Sequence, residues 1–406
     1  MPQQDNYIFQ DNQVNADKKN IPNRKITINT LQRAVYLARI CERRALYHDV
    51  ISFDDDNLYP QKTEVVGQRS VSIQSTKRLF RDFVMGQFIE GFDDLVINRK
   101  GWTGRKLREY ISDGMHSNNN ISLQFLPNRL GQIAEIYPAT FKFLRFKADG
   151  KKIVWNPYWD RGISQENRVE YDLFDPDLIK PQIKKEGFNL YKGQVLYANL
   201  EHSQRLYPLC GFDSVLDDAQ LENEIGIFKI SHYQNNLFLG GILFDPGGDP
   251  NNDDEESETE TILKQKAQGA SNTGAFIRIP VNLAALQDVR GFDFFKQFQY
   301  PDISKLTETD LLMSMRRIFM HYNQPPILSG ASFGEGMFNQ ESFKDAGLYY
   351  SWKTQVDRDS VSEFLNDIFQ HTIWANDIPD IDIKPLEMFS VESTQTNIQT
   401  YGSNSN

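Results

Sequence analysis

Gly330-Ala331-Ser332-Phe333-Gly334 satisfies the G-x-S-x-G pattern, in which a serine on a strained strand-to-helix turn attacks an acyl carbon. That chemistry needs a buried strand before the serine and a helix directly after it, because the sharp turn is what exposes the hydroxyl. Here helical spacing and Pro325-Pro326 precede the serine and further glycines follow, so a serine hydrolase using Ser332 is the runner-up reading. Asp54-Asp55-Asp56 and the acidic run 245–260 carry oxygen ligands of the kind hard cations take, but without the spacing of a calcium loop; both read as solvated turns. The six histidines, His48, His116, His202, His232, His321 and His371, stand singly, with no H-E-x-x-H and no adjacent cysteine. Gly101-Trp102-Thr103-Gly104-Arg105-Lys106 has glycines and a lysine at the wrong spacing for a phosphate cradle. Arg99-Lys100, Arg105-Lys106 and Arg316-Arg317 are short pairs that read as solvated helix faces or subunit contacts. No catalytic residue, no metal and no cofactor is expected, and the chain is read as a non-enzyme.

The bulk numbers agree with a globular protein. The 406 residues are 39% hydrophobic, 12% aromatic and 24% charged, enough for sizeable cores and a hydrated surface. Lys and Arg total 44 against 55 Asp and Glu, so the net charge of −11 argues against general affinity for polyanions. Cys41 and Cys210 are too few for a disulfide scaffold, which fits a reducing cytoplasm. No run of about eighteen apolar residues occurs, and neither export nor a membrane span is expected.

Residues 1–26 are polar and read as a flexible arm. Helical spacing follows from Ile28 to Ala45, again through Leu79, Phe80, Phe83, Val84 and Phe88, and from about Thr103 to Met115. Short β-type runs then appear at 122–126, 132–137, 141–146, 153–155 and 194–197, which predicts a twisted antiparallel sheet. A helix of about 24 residues is expected from Val215 to Gly240-Gly241, a short helix near Leu263–Ala267, and a strand at 275–279. Thr307 with Asp310 looks like the capped start of another helix, which Pro325-Pro326 stops. Residues 329–339 form a glycine-rich loop, a long helical segment runs from Glu341 to Trp374, and residues 375–406 fade into a polar tail.

The order and character of these parts resemble the portal proteins of tailed bacteriophages. Gln194-Val195-Leu196-Tyr197-Ala198-Asn199 is similar to the strand before the portal stem, Gly211 to Leu216 to the start of its helix, and Tyr233 to Pro246 to the passage into the clip. Gly274 to Ile279 resembles the clip strand, and Arg317 to Leu328 the end of the second stem helix. Asn57-Leu58-Tyr59-Pro60 and the region 121–147 resemble wing sequence. The resemblance implies an α+β portal fold with long stem and wing helices, an antiparallel wing sheet and a small αβ clip insert. Its parts would be the arm 1–26, wing 27–214, first stem helix 215–240, clip 241–303, second stem helix 304–324, tunnel loop 325–339, wing helix 340–374, and a reduced crown or flexible tail 375–406.

The same resemblance implies a homo-dodecameric ring at one capsid vertex of the virion, assembled in the host cytoplasm, through which double-stranded DNA passes during packaging and ejection. Implied partners are the large terminase, major capsid and scaffold proteins, and head-completion or tail proteins, with no membrane. The tunnel loop would be Ser329, Gly330, Ala331, Ser332, Phe333, Gly334, Glu335, Gly336, Met337, Phe338 and Asn339, whose single acid and lack of basic groups would avoid trapping phosphate. Asp249, Asp253, Asp254, Glu255, Glu256 and Glu258 would be the partner-facing acidic loop of the clip, since like charges this dense extend and hydrate. A third possibility is another capsid or tail structural protein that binds no DNA.

Overall fold

The computed structural model describes residues 46–47, 49–53, 57–159, 168–201, 206–234, 241–245, 276–280, 293, 295–297, 303–330 and 340–387. The expected arm 1–26, the helix from Ile28, the short helix near Leu263 and the acidic run after Asp245 lie outside them. The chain divides into two compact units, one of residues 1–65, 75–213 and 323–406, the other of 66–74 and 214–322.

The first unit begins with the short hairpin β1 (Leu46–Tyr47) and β2 (Val50–Ile51). Helices α1 (Tyr59–Arg69), α2 (Val71–Met85) and α3 (Gly104–Asn118) follow, the end of α1 and the start of α2 being counted with the second unit. Thr103 starts α3: its backbone is extended and its hydroxyl accepts from Lys106 N–H, one of the amides a helix start leaves without a partner. Asn119, in the left-handed region at φ 48°, ends it by donating its N–H to Gly114 O.

Next come strands β3 (Asn120–Pro127), β4 (Ile133–Pro138), β5 (Leu144–Phe146), β6 (Lys152–Trp155) and β7 (Val169–Leu173), helix α4 (Pro176–Glu186) and strand β8 (Gln194–Asn199). They form one six-stranded sheet in the order β4-β3-β8-β7-β6-β5. Successive strand residues point to opposite faces, and along β8 this splits the side chains between two cores. Leu196 and Ala198 join Ile121, Leu123 and Phe125 on one side; Val195 and Tyr197 join Leu144, Phe146 and Ile153 on the other. A strand buried on both faces must be apolar throughout, as Val195-Leu196-Tyr197-Ala198 is.

The sheet is mixed rather than purely antiparallel. β7 pairs with β8 in parallel, through Asp172 opposite Gln194 and Leu173 opposite Val195. The chain between them is a crossover through α4, which Asp175 caps and Pro176 opens, and only such a crossover returns the chain in the same direction. Residues 141–146 also divide, into a 3-10 turn at Phe141–Phe143 and the strand proper. Isolated bridges from Val50 to Lys147 and from Ile133 to Thr372 run alongside the two edge strands.

In the second unit, α5 (Leu216–Gln234) and α6 (Ile303–His321) run antiparallel, with Ser214 Oγ 2.9 Å from His321 Nδ1 and Asp218 3.5 Å from Arg317. Strand β9 (Gly241–Asp245) lies between β10 (Phe276–Pro280), parallel to it, and β11 (Phe295–Gln297), antiparallel. α6 begins at Ile303, a turn earlier than Thr307 and Asp310 suggested, so that pair lies within the helix.

Back in the first unit, a 3-10 turn at Pro326–Ser329 precedes α7 (Gln340–Lys353) and α8 (Gln355–Phe369). The expected single helix from Glu341 is therefore two, interrupted at Thr354. Its end is also earlier, at Phe369. Residues 375–387, expected in a polar tail, pack instead: Ile381 and Ile383 are buried, and Asn366 bonds Ile381 through both its N–H and its C=O. Two apolar residues per short segment suffice to seat it when their backbone groups are met by side chains of α8.

Candidate functional site

The glycine-flanked segment after α6 is the place where the sequence signals converge, and its two ends rest on a fixed base. Asn323 takes a left-handed backbone at φ 51°. Gln324, buried, donates from Nε2 to Thr76 O at 2.7 Å and to the Tyr350 hydroxyl at 2.8 Å, joining this segment to α2 and α7. Burial raises the Tyr350 phenol above its ordinary pKa, so it stays a neutral hydroxyl. Pro325 prevents helix continuation, the 3-10 turn follows, and Gly330 closes it at φ 72° with its N–H on Ile327 O. Of the predicted loop residues, Ser329 is half-buried at the end of that turn and Gly330 is exposed; 331–339 lie outside the described residues, as do all six acidic clip residues. What precedes Ser332 is thus a 3-10 turn and not the strand that a nucleophile elbow requires.

On the far side of the segment, Arg358 fixes α7 to α8. Its guanidinium donates to Ser351 O at 2.7 Å, Thr354 Oγ1 at 2.9 Å and Phe83 O at 3.1 Å, all from a buried position. The Thr354 hydroxyl bonds back to Tyr350 O at 2.9 Å. A hydroxyl turned onto the preceding turn, with a cation on the freed carbonyl, is a physical cause for the helix interruption. Phe83 and Tyr350, ring centroids 4.9 Å apart, complete the platform with Leu79, Leu328, Phe343, Leu348 and Leu386.

In the second unit, Glu222 of α5 caps the start of α2. Its carboxylate accepts from Ser70 Oγ at 2.6 Å, from Ser72 N–H at 3.3 Å and from Ser72 Oγ, while Ser70 Oγ accepts from Ile73 N–H at 3.1 Å. A carboxylate at a helix N-terminus meets unpaired amides and the positive end of the dipole. Neither Gln324 nor Glu222 stands out in the sequence: Glu222 acts on Ser70 and Ser72, 152 and 150 residues away, and Gln324 on a carbonyl 248 away.

Other candidates resolve into structural roles. Asn57, at φ 61°, accepts from Phe53 N–H and from Arg145 Nε, and its own carbonyl takes Arg145 Nη2 at 2.8 Å. The buried Arg145 guanidinium lies 5.2 Å from the Trp159 ring and 5.7 Å from Phe53. Arg99 pairs with Glu135 at 2.6 Å and Arg105 with Glu109 at 3.8 Å, both at the surface. Among the described residues no group of three His, Cys, Asp or Glu side chains is placed to hold a metal ion, and no helix is long and apolar enough to cross a membrane.

Cys210 is buried beneath Tyr59, whose hydroxyl bonds Asp213 and reaches the thiol at 3.4 Å. Burial pushes the thiol up to about 11, so at pH 8 it is almost wholly protonated. In a Cys41→Ser background, maleimide labelling of the native protein at pH 8 is expected to proceed at least about a hundredfold more slowly than after unfolding; equal rates would contradict the burial.

No protein-family model and no curated protein matches the sequence. Solved structures do. A chain in the virion of a native gene transfer agent particle aligns with 15% identity and TM-score 0.52, over 92% of this chain and 96% of that one. A chain in the neck of the native particle, computed with C12 symmetry, aligns with 14% identity and TM-score 0.52, over 86% and 91%. An HK97-family phage portal protein from Corynebacterium diphtheriae aligns with 10% identity and TM-score 0.38, over 75% and 90%. At such identities likeness establishes fold, and over most of its length this chain has the fold of the gene transfer agent chains.

Proposed function

We propose that the chain is a portal subunit: a ring-forming head-to-tail connector, without enzymatic activity, through which double-stranded DNA is packaged and ejected. The observation that carries this reading is the likeness in fold to a neck chain over 86% of this chain and 91% of the other, with that neck computed in C12 symmetry. The co-linear sequence resemblance points the same way independently. On this reading the six-stranded sheet and its helices are the wing, α5 and α6 the stem, and the three-stranded sheet with the acidic run 245–260 the clip. The segment 325–339 is the tunnel loop, and α7 with α8 is the wing helix. The arm 1–26 and the tail beyond 387 would engage neighbours in the virion.

The chemistry of the pieces suits that work. Net charge of −11 disfavours the salt-dependent grip on phosphate that would stall a sliding duplex. Gln324 holds the start of the loop segment on Thr76 and Tyr350, and Arg358 holds the α7–α8 junction beyond it on Phe83 O. Terminase would meet the clip, capsid and scaffold proteins the wing, and head-completion proteins the ring after packaging. The purified full chain is expected to form rings with a central hole in negative stain and a light-scattering mass of a closed oligomer, twelve subunits in the neck-like case. A protein that stays monomeric at high micromolar concentration, with no rings, would overturn the proposal.

A further inference from the structure

Two helical surfaces leave large apolar side chains open to solvent. On α7 and α8, Tyr349, Trp352 and Val356 are 48%, 69% and 43% exposed. Their spacing of three and four residues places them in one stripe, and the Tyr349 and Trp352 ring centroids are 6.4 Å apart. The same spacing continues into acids at both ends: exposed Asp345 before Tyr349, then exposed Asp359 and half-buried Glu363 after Val356. Lys353 lies to one side of the stripe.

On α6, Met313 and Met320 are 50% and 75% exposed, with Arg316 and Arg317 exposed between them. From Leu311 to His321 this helix carries those two arginines and no carboxylate. Arg317 reaches Asp218 at 3.5 Å, yet its side chain remains 68% exposed.

One surface is aromatic with acidic ends, and the other is methionine with a basic centre. Methionine sulfur and arginine guanidinium both bind favourably to aromatic rings, and the arginines are opposite in charge to Asp359 and Glu363. We propose that the Tyr349–Trp352–Val356 stripe docks on the Met313–Arg316–Arg317–Met320 face of a second copy of this chain. Because two different surfaces meet, the contact is head-to-tail, the kind that repeats into a ring when its rotation closes, as the ring reading requires. The inference rests on the ring reading and adds which surfaces make the ring.

The test uses full-length chain with Cys41→Ser, leaving only the buried Cys210. Trp352→Cys and Met320→Cys variants carrying different tags are co-expressed and treated with a short bismaleimide. A covalent dimer joining both tags is expected in the mixture and not in either variant alone, and the double variant should give a ladder beyond the dimer. Separately, Asp359→Arg and Arg316→Asp should each weaken assembly about tenfold, and the pair together should recover most of the loss. Rings that form without the mixed-tag dimer, or Trp352→Cys joining itself, would overturn the assigned surfaces and leave the ring reading intact. Absence of any oligomer by light scattering would overturn both.

Discussion

Replacing Arg108 by alanine is expected to cost the protein about 3–5 kcal/mol of stability and to leave little of it soluble. Arg108 and Asp93 are each 1% exposed, and their ion pair is 2.6 Å long. The guanidinium also donates to Met85 O at 2.6 Å and Gln87 O at 3.2 Å, tying α3 to the end of α2. Burial lowers the Arg108 pKa from its ordinary value and the Asp93 charge opposes that shift; a guanidinium starts so high that it stays charged. Truncation leaves the Asp93 carboxylate buried with Ile89 N–H at 3.0 Å, and leaves two carbonyls short of a donor. Arg105→Ala, on the same helix, removes only a surface pair to Glu109 and should cost less than about 0.5 kcal/mol. Urea unfolding followed by tryptophan fluorescence, at fixed protein concentration so that assembly contributes equally, separates the two outcomes. A cost for Arg108→Ala as small as that for Arg105→Ala would mean the buried pair contributes nothing to holding α3 on α2.

What the sequence disclosed and what it hid divide along a physical line. α3 was legible because its signals are local: Thr103 before it, Leu107, Ile111 and Met115 at helical spacing. β3, β4, β6 and β8 were legible as alternating or fully apolar runs between turn residues. The direction in which strands pair is not local. β7, Val-Glu-Tyr-Asp-Leu, is half-buried throughout and reads as polar, so no local pattern marks its parallel junction with β8. A signal was present nonetheless in Asp175-Pro176, a cap followed by a proline at the first helical position, which marks α4 and with it a crossover.

The interruption at Thr354 shows the opposite failure. Apolar spacing stays in phase from Phe343 to Phe369 although the residues of α7 and α8 join two different clusters, so periodicity alone predicts one helix. What breaks it is a hydroxyl onto Tyr350 O and the guanidinium of Arg358 onto Ser351 O, contacts that no period records. The loop flank is similar: Pro325-Pro326 announced a stop, while Gln324, which holds the stop in place, looked like any polar residue. Co-linearity was the stronger guide to the fold for this reason, since it reads the order of parts without needing their contacts.

Gly86→Ala is expected to destabilise the protein by about 3–5 kcal/mol, the sum of left-handed backbone strain and overpacking. Gly86 ends α2 at φ 58°, and a Cβ there would stand 2.0 Å from Lys384 O and 3.1 Å from Ile383 Cγ2. The same carbonyl accepts from Gln87 N–H at 2.9 Å, and Ile383 is buried in the main core, so the segment cannot retreat without breaking both contacts. Gly101→Ala supplies the control: at φ 75° it bears similar backbone strain, but nothing lies within 4 Å of its Cβ, and about 1–2 kcal/mol is expected. The difference between the two variants therefore reports how firmly residues 383–384 are seated on α2. Thermal melts at one protein concentration read it directly, with Gly86→Ala expected to melt well below Gly101→Ala. Equal melting temperatures would mean that this stretch yields to a methyl group, and that the C-terminal segment is a loosely held tail after all.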